Sequence, residues 1–284
     1  MWKDVKCNIC GSTDVSKRFE INKQKSFNIV KCRLCGLVFM NPQFIDKKMY
    51  QNYYTAGWSN RDDRGVAKSK WIIYRDRLKH MKKFVSGKKL LDVGCAFGSF
   101  IGYAKENNWD ASGTEVSKKA SDYCKSMGIK AYCGELEKLK LPKNYFDVIT
   151  MFDVIEHLPD PSSTIKICYK LLKKGGILVI ETGNVDSIYA KLMGKKWEYY
   201  GLPHLHYFSS TTIKKLLGMC GFKKIKIYYG DEIPLSSKIK RVIERRRRDK
   251  ISYKKMIKTV LSEILREIHI SNLSVGGMVV YAQK

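Results

Sequence analysis

The chain has 284 residues, 44% hydrophobic and 12% aromatic, with 54 Lys and Arg against 27 Asp and Glu. It is long enough for one large domain and a small appendage and too aromatic for a disordered polymer, and it lacks the run of about 18 apolar residues that a membrane helix needs. The formal charge of +27 is uneven: residues 1–87 carry +12, 88–182 only +2 and 183–284 +13, so a polyanion would meet the flanks while the middle has the balance of a small-molecule site.

Two Cys-x-x-Cys-Gly turns come first, Cys7-Asn8-Ile9-Cys10-Gly11 and Cys32-Arg33-Leu34-Cys35-Gly36, with 21 residues between them. A two-residue gap lets both thiolates of a turn reach one metal at about 2.3 Å, and the glycine frees the tight backbone. Cys7, Cys10, Cys32 and Cys35 therefore read as the ligands of a zinc ribbon over 1–45, with short strands near Phe19 and Phe27. A nucleic-acid-gripping ribbon and a redox site are the alternatives; structural Zn2+ folding a small lobe without its own core is the preferred reading. Nine cysteines behind a start that lacks an apolar core predict a reduced, cytoplasmic protein.

A helical bridge is expected over 46–87, where Trp71, Tyr74, Leu78, Met81 and Val85 recur at helical spacing and His80 reads as a packing residue. From residue 89, short apolar runs alternate with helical stretches. Strands are predicted at 90–93, 111–115, 129–133, 146–152, 177–181, 224–229 and 278–282, with helices at 99–107, from Ser117 to about Gly128, at 162–173 and at 210–219. This pitch predicts an α/β domain over 88–230 and 276–284, a Rossmann-like, largely parallel seven-stranded sheet with helices on both faces. Cys95, Cys124, Cys133, Cys168 and Cys220 fall in or beside these elements and read as buried, inert thiols.

The first strand runs into Leu91-Asp92-Val93-Gly94-Cys95-Ala96-Phe97-Gly98, and Glu115 ends the second strand. Ligands of open α/β sheets bind at the carboxyl ends of strands, and a carboxylate at the end of the second can accept the hydroxyl hydrogens of a ribose. A nicotinamide or flavin cofactor is disfavoured, because the three glycine positions of its fingerprint read Gly94, Ala96 and Ser99.

These residues resemble motif I of the class I S-adenosylmethionine-dependent methyltransferases, with Ala96 where that family usually has glycine. The resemblance extends through Gly134-Glu135-Leu136-Glu137, Phe146–Ile149, Asp153-Val154-Ile155-Glu156-His157-Leu158 and Leu171–Gly176. It implies that Asp92, Gly94, Cys95, Ala96 and Gly98 meet the cofactor, that Glu115 holds its ribose, that Glu135 and Leu136 flank its adenine, and that Phe152 and Asp153 lie next to the reactive methyl. The ribbon, Gly36–Pro42 and Pro203–Ser209 are similar to a subgroup often associated with polysaccharide, sugar or secondary-metabolite pathways.

The resemblance implies methyl transfer to a small-molecule acceptor, with a hydroxyl of a sugar or lipid-linked sugar as the preferred target. An oxygen acceptor needs its proton removed, and His157, His204 and His206 are the candidates, His204 being favoured. Trp197, Tyr199, Tyr200 and Tyr207 are expected to form either a wall against the acceptor or core. Residues 231–275 form a basic insertion whose apolar positions from Ile251 to Ile268 make a helical stripe, preceded by Arg245–Arg248. Docking on the protein itself or on a second subunit in a homodimer is the first reading of this stripe. Peripheral contact of 236–270 with the inner membrane surface is the second, and nucleic acid the third. An RNA methyltransferase and a non-catalytic cofactor-binding scaffold are the alternative functions.

Overall fold

The computed structural model describes residues 2–22, 26–44, 63–229 and 276–284, with Ser252 and Ile257. The bridge from 46 to 62 and, apart from Ser252 and Ile257, the expected insertion 231–275 with its stripe fall outside the described residues. Within them, no helix is long and apolar enough to cross a membrane.

The main sheet holds seven strands: β6 (Lys89–Val93), β7 (Asp110–Glu115), β8 (Ala131–Cys133), β9 (Phe146–Phe152), β10 (Leu172–Gly183), β12 (Lys223–Tyr229) and β13 (Gly277–Gln283). Their order is β12-β13-β10-β9-β6-β7-β8. The five strands from β8 to β10 pair in parallel, and β13 runs antiparallel between β10 and β12. The last strand of the chain thus enters the sheet interior, where its residues Met278–Ala282 are buried on both sides. It also lengthens β10 at its start, because Gly175 and Gly176 exchange backbone bonds with Lys284.

The helices are α1 (Asp63–Met81), α2 (Ser99–Glu106), α3 (Lys118–Ser126), α4 (Pro161–Leu171), α5 (Ile188–Met193) and α6 (Ser210–Met219). Their starts are written in the sequence: Ser117, Asp160 and Ser209 each accept a backbone N–H of the first turn, and Pro161 follows Asp160. Successive strand residues point to opposite faces, and the core divides accordingly. Leu90, Val148 and Val179 pack with Leu78, Met81, Phe100 and Ile101 of α1 and α2. Their neighbours Leu91, Ile149 and Ile180 pack with Ile165 of α4 and Ile213 and Leu216 of α6.

The ribbon comprises β1 (Trp2–Lys3), β2 (Val15–Asn22), β3 (Ser26–Cys32), β4 (Val38–Asn41) and β5 (Gln43–Phe44). A two-residue strand from beyond β10, β11 (His206–Tyr207), pairs antiparallel with β4 and completes a four-stranded sheet. Val30, Leu37 and Phe39 on one face join the core under α4 and α6. Ile29, Val38 and Met40 on the other pack against Trp197, Tyr200, Leu205 and Tyr207. The ribbon is thus fixed to the large domain through both faces. One thiol departs from expectation: Cys133, at the end of the short β8, is exposed, whereas Cys95, Cys124, Cys168 and Cys220 are buried.

Gly113 lies in β7 under the turn that follows β6. A Cβ there would sit 2.5 Å from Ile101 Cδ1 and 2.6 Å from Cys95 Sγ. Gly113→Ala is expected to lower stability by about 1–3 kcal/mol through overpacking, measured as a fall in the urea midpoint; an unchanged midpoint would contradict this packing.

Candidate active site

The turn after β6 is held by backbone. Gly94 and Cys95 N–H groups both donate to Thr114 O, at 2.8 and 3.0 Å. Gly94, Ala96 and Gly98 have φ of 74°, 48° and 76°. That conformation favours glycine, so Ala96 needs support. Its N–H donates to Glu115 Oε2 at 2.9 Å, its carbonyl accepts from Cys124 Sγ at 3.3 Å, and Glu115 Oε1 accepts from Ser117 N–H at 2.8 Å. The Glu115 carboxylate therefore ties the end of β7 to the turn beyond β6.

Asp92 and Glu115 are 5% and 3% exposed. Thr150 Oγ1 donates to Asp92 Oδ1 at 2.6 Å. Burial pushes the Asp92 carboxyl up to about 7, the Glu115 charge adding to the shift and the Thr150 bond opposing it. Burial also raises Glu115, against its backbone donors. Nearby, Glu135 begins a 3₁₀ turn that buries Leu136, and its carboxylate meets Lys138 at 2.8 Å on the surface. Phe152, at the end of β9, sets its ring edge-on to Phe100 at 5.0 Å.

Beyond β9 the chain turns at Asp153, whose φ is 54° and whose N–H donates to Glu181 O. A 3₁₀ turn, Ile155–His157, then places Glu156 and His157 beneath the loop that precedes β11. Leu205 N–H donates to Glu156 O at 2.8 Å, which closes the two loops on each other. Glu156 is fully buried, and its oxygens accept from Tyr199 Oη at 2.6 Å and Thr182 Oγ1 at 2.9 Å. Tyr199 Oη also accepts from Gly183 N–H and lies 3.4 Å from Asp153 Oδ1. The Tyr199 ring stacks on His204 at 4.2 Å, and His204 lies 4.7 Å from His157, centroid to centroid. Burial lowers the affinity of both imidazoles for a proton, that of His204 to a pKa of about 4 with the neighbouring His157 adding to the effect.

Of the three histidines singled out in the sequence, His157 and His204 come together, and His206 does not join them. It lies buried in β11 opposite Phe39, with no hydrogen-bond partner for Nδ1 among the described residues. Trp197, Tyr200 and Tyr207 are buried core residues, leaving Tyr199 as the member of the expected wall that reaches the histidines. Sequence reasoning gave Glu156 no role beyond its motif. The adjacent Glu-His pair was the available signal, but its facing partners lie in a loop whose approach no local pattern encodes.

The cysteine turns behave as their spacing predicts. One sulfur from each of Cys7, Cys10, Cys32 and Cys35 lies within 4.8 Å of the others, with Cys7 and Cys35 Sγ at 3.3 Å and Cys10 and Cys32 Sγ at 3.5 Å. Gly11 and Gly36 close the turns with φ of 73° and 84° and bond back to Cys7 O and Cys32 O. Four free thiols at this separation fit a tetrahedral metal.

Residues 68–227, more than half of the chain, match the family described as a methyltransferase domain. The chain is similar to a ubiquinone biosynthesis O-methyltransferase of Coxiella burnetii, with 29% identity over 174 residues, covering 58% of this chain and 74% of that protein. Its fold is similar to that of an S-adenosylmethionine-dependent methyltransferase from Archaeoglobus fulgidus, at a TM-score of 0.53 and 19% identity over 75% of this chain and 93% of the other. A methyltransferase from Mesorhizobium loti gives a TM-score of 0.53 at 18% identity, covering 75% of this chain and 98% of the other.

The Asp92 environment sets a pH dependence. Its folded pKa lies above the ordinary 3.8 of an unfolded chain. Below that value the group is protonated in both states and contributes nothing. Between about pH 4 and 7 ionisation increasingly favours the unfolded chain, reaching a cost of roughly 4 kcal/mol above that window. Asp92→Asn is therefore expected to be more stable than the native protein at pH 8 and nearly equal to it at pH 4, compared by urea unfolding. Equal stability at pH 8 would contradict this environment.

Proposed function

The chain belongs to the methyltransferase-domain family and is an S-adenosylmethionine-dependent methyltransferase, and from that premise we propose that it methylates a hydroxyl oxygen of a small molecule. The observation that carries this reading is the meeting of two arrangements at the carboxyl edge of the sheet. One is the pair of buried carboxylates, Asp92 and Glu115, beside the left-handed turn. The other is the His157–His204 pair beyond β9.

The first arrangement fits the cofactor. Among the described residues neither carboxylate forms an ion pair, and buried carboxylates need hydrogen-bond donors or a cation. Ribose hydroxyls would reach Glu115, while Asp92, Gly94, Cys95, Ala96 and Gly98 would line the amino-acid end. Glu135 and Leu136 would flank the adenine, and Phe152 and Asp153 the transferred group. When bound, the cofactor supplies an activated methyl group on a sulfonium. The protein's task is then alignment of the acceptor, which can supply about 7–11 kcal/mol of the barrier. The hydroxyl's proton leaves at the His157–His204 pair, whose imidazoles are neutral near pH 7 and able to receive it.

Two acceptor classes follow from separate supports. The ribbon and Pro203–Ser209 favour a sugar or glycolipid hydroxyl, and the name of the Coxiella burnetii relative favours a hydroxyl in the making of ubiquinone. The cysteine site holds one structural Zn2+ per chain, in keeping with its four sulfurs, which leave no open position on a tetrahedral ion.

Calorimetric titration with S-adenosylmethionine is expected to give micromolar-range binding, lost in Glu115→Ala because the ribose acceptor and the tie to Ala96 go together. Folded native protein that binds none would overturn the reading. With sugar hydroxyls and phenols offered side by side, His204→Ala is expected to cut turnover about 10²–10⁴-fold while cofactor binding persists. Unchanged turnover would remove His204 from the reaction. Elemental analysis is expected to find one zinc per chain fewer in Cys35→Ser than in the native protein.

A further inference from the structure

His204 and His206, two residues apart, have the spacing of metal ligands, and their sequence neighbourhood offers no third. The fold supplies a different set. Glu156, His157 and His204 each place a ligand atom within 4.8 Å of the others.

The bonds behind these side chains prepare them for a cation. His157 Nδ1 lies 3.2 Å from Pro203 O, and His204 Nδ1 lies 2.7 Å from Tyr199 O. A carbonyl oxygen only accepts, so each imidazole carries its hydrogen on Nδ1 and a lone pair on Nε2, the tautomer and backing found in metal-binding histidines. Glu156 accepts one bond on each oxygen from Tyr199 and Thr182. Each oxygen of a carboxylate has two lone pairs, so both retain capacity. The carboxylate is fully buried, and among the described residues no Lys or Arg pairs with it. A buried charge without a counter-charge is costly, and one cation shared with two neutral imidazoles would remove that cost.

The scaffold is also rigid enough to hold a site. Tyr199 stacks on His204, the Tyr207 hydroxyl donates to His204 O and accepts from Gly201 N–H, and Leu205 bonds to Glu156 O. We propose that Glu156, His157 and His204 bind a divalent transition-metal cation, distinct from the metal of the four-cysteine site. Two imidazoles and one carboxylate suit Mn2+, Fe2+, Co2+ or Zn2+ better than Mg2+ or Ca2+, which prefer all-oxygen sets. Three protein ligands leave positions for water or for an acceptor oxygen.

The proposal rests on reading these loops as the acceptor end. There, the cation would replace direct proton uptake by the imidazoles: His157 and His204 would hold it, and a hydroxyl bound to it would give up its proton to solvent more readily. The lone pairs of a His–His–carboxylate set are thereby used in one place.

The test uses the full chain carrying one equivalent of Zn2+, which four thiolates hold in preference to the mixed nitrogen and oxygen set, titrated with Mn2+, with the loss of the free-ion electron paramagnetic resonance signal as readout. Mn2+ has little preference for thiolates, so the cysteine site does not compete. The expected result is one Mn2+ per chain, with binding weakened at least tenfold in Glu156→Gln and in His204→Ala. Glu156→Gln retains an oxygen for Tyr199 and removes the charge. S-adenosylmethionine titration of the same samples reports separately on folding and on the cofactor site. Native protein that binds the cofactor but no Mn2+ would overturn the proposal, as would equal Mn2+ binding by native protein and both cofactor-competent variants. Loss of cofactor binding in the native protein would instead overturn the functional reading and leave the Mn2+ result to stand by itself.

Discussion

The pairing of β11 with β4 is the contact on which the far side of the site depends. It spans two residues on each strand, His206 opposite Phe39 and Tyr207 opposite Val38. Through it the segment after β10 becomes part of the ribbon sheet, and Met40 N–H reaches on to Leu205 O. Leu205 in turn bonds to Glu156, and Tyr207 bonds to the chain around His204. The imidazole pair is therefore positioned by two bodies: the end of β9 contributes His157, and the ribbon holds the strand that follows His204. The four-cysteine ribbon thus bears on the site without lending it a side chain.

The near side relies on burial instead. Asp92 and Glu115 sit at adjacent strand ends where water is largely excluded. Glu115 is partly compensated by the N–H groups of Ala96 and Ser117, and Asp92 by the Thr150 hydroxyl. Carboxylates placed in this way destabilise the ligand-free fold, and a ligand with hydroxyl donors and a positive charge recovers the loss on binding. The same account explains Ala96: its left-handed backbone is a poor choice for a residue with a Cβ, and the Glu115 bond to its N–H holds it there.

Local chemistry was legible in the sequence wherever a spacing or a cap encodes it. The cysteine turns, the alternating strands, Ser117 as a helix cap, and the pairing of Asp92 with a second acid at Glu115 all follow from residues close in the chain. What depends on distant partners was not. The antiparallel entry of β13 between β10 and β12 leaves no local mark, since a buried strand reads alike in either direction. β11 is too short to give a period, so His206 stayed a candidate beside the favoured His204, although one is a buried strand residue and the other faces His157. The aromatic residues from Trp197 to Tyr207 carried the same ambiguity, and packing against Ile29, Val38 and Met40 made three of them core.

The central claim is that the ribbon holds the acceptor side of the site while the strand ends hold the cofactor side. Hydrogen exchange compared between zinc-loaded and zinc-stripped protein tests it most directly. Stripping is expected to speed amide exchange in 15–22, 26–44 and also in 197–207, while amides of 89–115 remain protected. Faster exchange confined to 2–44, with 197–207 unchanged, would contradict the claim and reduce the ribbon to an independent appendage.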